Sequence, residues 1–269
     1  MVALSLHSIV PVRAEAREGA EQNTQMLFGE LCEIIDRQSD AATPNWTYVR
    51  LKSDGQEGWV DTKMITPMTA QEHKTYSAAL KHAATVVFPM AYAMSENNGQ
   101  TIPLTAGTRL ANYSDGRFEV LGVGFRIDPS MVCTELPDLN EQNLLQTVRF
   151  FLNVPYLWGG KNALGMDCSG FTQVIMSLFG KRLLRNASEQ ATQGRAVSAL
   201  AKAEAGDLVF FTKYTADTSS PITHVGLVID PQRVIHCSGR VKVEKLDETG
   251  IYSTEQGGYT HRLVTIRRI

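Results

Sequence analysis

Apolar and polar positions alternate in short runs through the first 68 residues, as half-buried strands require. The runs are Ser8-Ile9-Val10-Pro11-Val12-Arg13, Gln25-Met26-Leu27-Phe28-Gly29-Glu30-Leu31 leading into Cys32-Glu33-Ile34-Ile35, Trp46 to Leu51, and Glu57-Gly58-Trp59-Val60 after a turn at Ser53-Asp54-Gly55. Residues 69–84 predict a connecting helical turn or two. Short β-like runs return at Val86–Met90, Thr108–Leu110 and Arg117–Leu121, separated by polar turns at Asn97-Asn98-Gly99 and Ser114-Asp115-Gly116. From Pro137 the period changes. Leu144, Leu145, Val148, Phe151 and Leu152 share one helical face, with Asp138 or Asn140 as cap. Phe171, Val174, Ile175 and Leu178 repeat that spacing, and Gly180 closes it. Arg185-Asn186-Ala187-Ser188 caps a second short helix. The remainder is strand-like: Leu208–Phe211, Ile222–Ile229, Val234–Ser238 and Leu263–Arg268. Helices followed by a run of antiparallel strands predict an α+β layer architecture for residues 137–269.

At 269 residues the chain suits two or three domains. Its net charge of −2 is spread through the sequence, so no basic face argues for nucleic acid or an anionic membrane. No apolar run approaches the ~18 residues of a membrane span. The opening Met1-Val2-Ala3-Leu4-Ser5-Leu6 lacks the basic and long apolar regions of a signal peptide. The expectation is a cytoplasmic monomer; the alternative is a periplasmic or exported protein whose leader is missing from this sequence. Cys32, Cys133, Cys168 and Cys237 form no C-x-x-C pair, which speaks against a disulfide framework and a structural zinc site.

The strongest chemical signal is Asp167-Cys168-Ser169-Gly170-Phe171, running straight into a helical pattern. Asp167 suits an N-cap, which puts Cys168 in the first turn, where free N–H groups and the helix dipole are expected to lower the thiol pKa. The bland alternative is an inert core cysteine. The preceding Val154-Pro155-Tyr156-Leu157-Trp158-Gly159-Gly160-Lys161 has the aromatic and glycine-rich character of a cleft wall. A cysteine nucleophile needs a base, and the base a third group to orient it. His224 and His236 lie in strand patterns flanking the turn Asp230-Pro231-Gln232-Arg233, so they fall on one hairpin, with turn register deciding whether they share a face. A satisfied, partly buried ring is the ordinary reading of either alone. A Cys/His/His zinc centre has no spacing motif to support it. His7, His73, His82 and His261 read as surface or structural.

Phe28-Gly29-Glu30, Asn45-Trp46-Thr47-Tyr48-Val49 and Gly58-Trp59-Val60 resemble a bacterial SH3 (SH3b) domain. Residues 86–136 suggest a second, divergent copy or a β-rich extension of the first. Pro155-Tyr156-Leu157-Trp158-Gly159-Gly160, Asp167-Cys168-Ser169-Gly170-Phe171, Gly206-Asp207-Leu208-Val209-Phe210-Phe211, His224-Val225-Gly226 and Ile235-His236 together resemble the NlpC/P60 cysteine peptidases, which cleave bacterial cell-wall peptides. The implied architecture is multidomain: an SH3b barrel at 1–68, a linker plus SH3b-like barrel at 69–136, and an α+β papain-like catalytic domain at 137–269. The resemblance implies Cys168 as nucleophile, His224 as general base and acid, and His236 as the orienting member. The Cys168 N–H and the Tyr156 hydroxyl would stabilise the oxyanion. No cofactor or metal is expected.

The pairing of SH3b units with this domain resembles the dipeptidyl-peptidase VI subgroup, γ-D-glutamyl-L-diamino acid endopeptidases in which the first SH3b domain closes one end of the cleft. Its substrates are murein-derived peptides, L-Ala-γ-D-Glu-L-Lys or the diaminopimelate equivalent, with a free N-terminus. The resemblance implies Asp167 as partner of the substrate ammonium, Ser169 and Ser188 as hydrogen-bonding aids, Trp158 in the cleft wall, and Glu21 as an acid from the first domain. Where that subgroup tends to carry a tyrosine, this chain has Gln56. The rival readings are a D,L-endopeptidase or amidase acting on intact wall through SH3b anchoring, and a catalytically silent binding module.

Overall fold

The computed structural model describes residues 1–35, 43–215 and 220–269. They fall into two compact units, Met1–Leu136 and Pro137–Ile269.

In the N-terminal unit the alternating runs become β1 (Val2–Leu4), β2 (Ile9–Arg13), β3 (Gln22–Leu27), β4 (Leu31–Ile34), β5 (Trp46–Leu51), β6 (Glu57–Asp61) and β7 (Thr66–Met68). They pair antiparallel in the order β3-β2-β6-β5-β4-β1-β7 around a core of Val10, Val12, Met26, Cys32, Val49 and Val60. The run from Gln25 to Ile35 is two strands because the chain turns at Gly29, where φ is +73°. A Cβ there would stand 2.6 Å from the Tyr76 hydroxyl, which donates to the Gly29 carbonyl at 3.0 Å. Tyr76 comes from α1 (Ala70–Ala79), a longer helix than the expected turn or two, held at its start by a Thr69/Glu72 capping box.

Beyond α1 lie β8 (Ala84–Val86), β9 (Met90–Ser95), β10 (Thr101–Thr105), β11 (Arg109–Leu110), β12 (Arg117–Val120), β13 (Val123–Ile127) and β14 (Val132–Cys133). They form two small sheets, β10-β9-β13-β12 and β11-β8-β14. One apolar cluster joins Leu4, Phe28 and Met68 to Phe118, Phe125 and Val86. Phe28 meets Phe125 edge-on at 5.5 Å, and Phe118 stacks on Phe125 at 5.0 Å.

The C-terminal unit starts with α2 (Glu141–Val148). Asn140, not Asp138, is its cap, accepting from the Asn143 N–H at 2.9 Å, and the helix stops short of Phe151 and Leu152. A two-residue hairpin, β15 (Lys161–Asn162) and β16 (Gly165–Met166), feeds α3 (Cys168–Ser177). Gly180, at φ +71°, lets the Lys181 N–H return to the Met176 carbonyl and end that segment. After α4 (Ala187–Gln190) come β17 (Arg195–Ala196), β18 (Leu208–Lys213), β19 (His224–Asp230), β20 (Arg233–Ser238), β21 (Arg240–Leu246), β22 (Gly250–Ser253) and β23 (Gly258–Arg268). The order is β17-β23-β18-β19-β20-β21-β22, and β22 also pairs with β23, so β18 to β23 close on themselves. Val209, Phe211, Val228, Val234, Leu246, Ile251 and Ile266 form one apolar cluster of this sheet, while α3 packs along β19 and β20. No described helix is long and apolar enough to cross a membrane.

Candidate active site

The start of α3 is built around Asp167. Its Oδ1 accepts from the Gly170 N–H at 2.7 Å, the Ser169 hydroxyl at 3.2 Å and Arg185 Nη1 at 3.0 Å. Its Oδ2 accepts from the Gly159 N–H at 2.9 Å and Arg185 Nη2 at 2.5 Å. Arg185 is only 1% exposed and also donates to the Ser169 hydroxyl at 2.9 Å. One carboxylate thus caps the helix, ties down the Gly159 turn and neutralises a buried guanidinium. Asp167, the residue expected to partner a substrate ammonium, is itself paired with Arg185, with five donor contacts converging on its two oxygens. The Ser169 hydroxyl donates to Asp167 and accepts from Arg185.

Cys168 follows directly and is buried, at 7% exposure. Its Sγ lies 4.0 Å from the Thr223 carbonyl and accepts from the N–H groups of Val225 and Ser169, so it rests against the backbone on either side of His224. Among the described residues it makes no hydrogen bond to an imidazole. Such contacts are commonly long in a free enzyme and tighten on substrate. Burial first, then the negative charge of Asp167, push this thiol up to about 11, against the opposing pull of those N–H groups and Arg185. The expected lowering by the helix start is therefore overturned: desolvation outweighs the amides.

His224 and His236 do share a face, because the hairpin register pairs Gly226 with His236. The His224 Nε2 stands 2.7 Å from the His236 Nδ1. The His236 Nε2 in turn stands 2.9 Å from Glu244 Oε2, and Glu244 Oε1 lies 3.2 Å from Lys242 Nζ. His236 is fully buried and His224 nearly so. Burial first, then the neighbouring His236, His261 and Lys242, hold His224 well below the usual histidine range. Burial also lowers His236, against the pull of Glu244. His261 lies nearly parallel to His224, with ring centroids 4.2 Å apart. This partly buried position beside His224 corrects the surface half of its expected reading as surface or structural.

Tyr156 is half-buried, and its hydroxyl pKa is raised by burial first and then by Cys168, Asp167 and Cys237. Trp158 is 60% exposed in the same loop. Ser188 is exposed on α4. Glu21 belongs to the other unit, at the end of the β2–β3 loop, with an exposed side chain. Cys237 points away from His236, donating to the Met166 carbonyl at 3.1 Å.

Residues 153–268 match the NlpC/P60 family, and residues 12–65 match the bacterial dipeptidyl-peptidase SH3 domain. The gamma-D-glutamyl-L-lysine dipeptidyl-peptidase of Bacillus subtilis (strain 168) is 30% identical over 247 residues, 86% of this chain and 78% of that protein. A protein of the same name from Bacillus cereus (strain ATCC 10987 / NRS 248) is 25% identical over 235 residues, 79% of this chain and 66% of its own. The crystal structure of an NlpC/P60 family protein from Bacillus cereus ATCC 10987 covers 100% of this chain and 99% of its own, with a TM-score of 0.81 at 19% identity, a likeness of fold.

Proposed function

Because the chain belongs to the NlpC/P60 family of cysteine peptidases, we propose that it hydrolyses the bond between γ-D-Glu and L-Lys or diaminopimelate in murein-derived peptides with a free N-terminal L-Ala. The observation that carries this reading is the cysteine at the start of α3, lying against the backbone on both sides of a histidine whose far nitrogen is 2.7 Å from a second histidine. The names of the two Bacillus relatives support the choice of bond.

In this reading the Cys168 Sγ attacks the carbonyl carbon of γ-D-Glu while its proton passes to His224. The oxyanion is met by the Cys168 N–H and the Tyr156 hydroxyl. Collapse breaks the C–N bond, and His224 gives its proton to the leaving amine. Water, deprotonated by His224, then hydrolyses the thioester and restores the thiol. The substrate ammonium is assigned to Asp167, with Ser169 as a hydrogen-bonding aid and Glu21 as an acid from the first domain, all on sequence resemblance. Trp158 and Ser188 are assigned to the substrate on the same ground. The stretch from β8 to β14 is read as a second, divergent SH3b-like unit, and the enzyme as a cytoplasmic monomer recycling wall peptides.

The test is mass spectrometry of L-Ala-γ-D-Glu-L-Lys digests beside the N-acetylated peptide and intact sacculi, with Cys168→Ala as control. Cleavage of the free-amine peptide alone, abolished in Cys168→Ala, is the expected result. Release from sacculi would replace this reading with an endopeptidase of intact wall, and no cleavage of any substrate would favour a binding module.

A further inference from the structure

We propose that Glu244 is a positioning residue that sets the tautomer of both histidines and so decides which nitrogen of His224 can act as base. The inference rests on the catalytic reading of Cys168 and His224 given above.

The reasoning starts from hydrogen-bond bookkeeping. An ionised carboxylate can only accept. Burial works to raise the Glu244 pKa, but hydrogen bonds from His236, Ser253 and Lys242 hold it at about 2, so it is ionised at neutral pH, with the Lys242 ammonium 3.2 Å from its Oε1. The His236 Nε2, 2.9 Å away, must then carry a hydrogen. His236 is buried and neutral, so its Nδ1 has a lone pair and can only accept. The group facing that lone pair at 2.7 Å is the His224 Nε2, which must donate. A neutral His224 with its hydrogen on Nε2 has its lone pair on Nδ1, the only ring nitrogen left for the Cys168 proton.

Without a fixed acceptor at the far end, the chain can run backwards. His236 would donate from Nδ1, His224 would accept at Nε2, and the His224 Nδ1 would carry a hydrogen and be useless as a base. Glu244 forbids that arrangement. Lys242 holds the second carboxylate oxygen at 3.2 Å, with side-chain exposures of 11% for Lys242 and 7% for Glu244, so the acceptor is fixed in place. The sheet supplies the alignment: β20 and β21 pair His236 with Lys242, which puts Glu244 diagonally next to His236 on the same face. When His224 becomes an imidazolium during attack, the same carboxylate stabilises it through His236 without taking its proton.

The test is nitrogen-15 NMR of the histidine rings at neutral pH in the full chain, wild type, Glu244→Gln and Glu244→Asp, beside steady-state kinetics on L-Ala-γ-D-Glu-L-Lys. The wild type is expected to show hydrogen on Nε2 of both His224 and His236. Glu244→Gln, whose amide can donate as well as accept, is expected to put hydrogen on the His224 Nδ1 in part of the population. Its kcat should fall about 10- to 100-fold with KM within about twofold, and Glu244→Asp should recover part of the loss. Hydrogen on the Nδ1 of either ring in the wild type overturns the proposal whether or not any variant folds. So does a Glu244→Gln enzyme with unchanged tautomers and kcat. Persistent cleavage by Cys168→Ala would instead remove the catalytic reading, leaving the tautomer result to stand by itself.

Discussion

Arg185 and Asp167 form a buried two-pronged ion pair, Nη1 3.0 Å from Oδ1 and Nη2 2.5 Å from Oδ2. Each is the other's main compensation for leaving water. Removing one partner strands the other, and breaking such a pair costs about 3–5 kcal/mol. Arg185→Met is therefore expected to lower the unfolding free energy of the C-terminal unit by that amount in urea titration. The double variant Arg185→Met/Asp167→Asn should lose less than the two single losses added together. Strict additivity would mean that the pair is not coupled.

The Cys168 thiol is pushed up to about 11 and His224 is held well below its usual range, so the resting pair is neutral at pH 7. Alkylation by iodoacetamide follows the thiolate fraction. Its second-order rate is expected to rise about tenfold per pH unit between pH 7 and 9 and to be very slow at pH 5. A fast, flat rate between pH 5 and 7 would show a thiolate–imidazolium pair instead.

What the sequence made legible is the part of the site encoded locally. The Asp167 cap and the Phe171/Val174/Ile175 spacing announce a helix that begins at Cys168, and α3 begins there. Two histidines flanking one turn announce a hairpin, and β19 and β20 form it. What stayed hidden is set by register and distance. Glu244 and Lys242 sit in a strand whose apolar residues, Val241 and Val243, suggest that the charged positions face water; pairing with β20 turns those charges toward His236, while Val243 is 42% exposed. Arg185 reads as part of a helix cap until the fold brings it to Asp167, eighteen positions earlier. The only local clue was that a buried capping carboxylate needs a counter-charge. His261 is hidden in the sequence because the apolar pattern of the last strand starts at Leu263, whereas β23 begins at Gly258 and carries the polar stretch before Leu263 into the sheet.

Gly170 lies in the first turn of α3 with the Gly160 carbonyl directly over it, where a Cβ would stand 2.1 Å from that oxygen. The same carbonyl accepts from the Asp167 N–H at 3.1 Å, so it cannot retreat freely. Gly170→Ala must push the helix start away from the loop that carries Tyr156. A loss of about 1–3 kcal/mol is expected from such overpacking, measured by urea titration. A further fall in kcat should come from the displaced Cys168, so a variant with wild-type stability and turnover would show that the loop yields without cost.

His261 stacks on His224 at 4.2 Å, and burial lowers its pKa to about 4, with the neighbouring His236 and Lys242 adding to the effect and Glu244 opposing it. An unfolded histidine titrates near 6.5. The folded state therefore resists a proton that the unfolded chain accepts. The stability gained is complete above about pH 6.5 and is lost as pH falls from there through about 4. For His261 the loss is at most about 3 kcal/mol. His224 and His236, both lowered, act in the same direction, whereas Glu244, held at about 2, contributes its loss only below the ordinary carboxylate range. Thermal unfolding followed between pH 7 and 5 isolates the histidines. The melting temperature of the wild type should fall steadily across that interval, and His261→Phe, which keeps a flat ring against His224 but cannot take a proton, should fall less steeply. Equal slopes for the two proteins would show that His261 is solvated enough to be protonated without disturbing the fold.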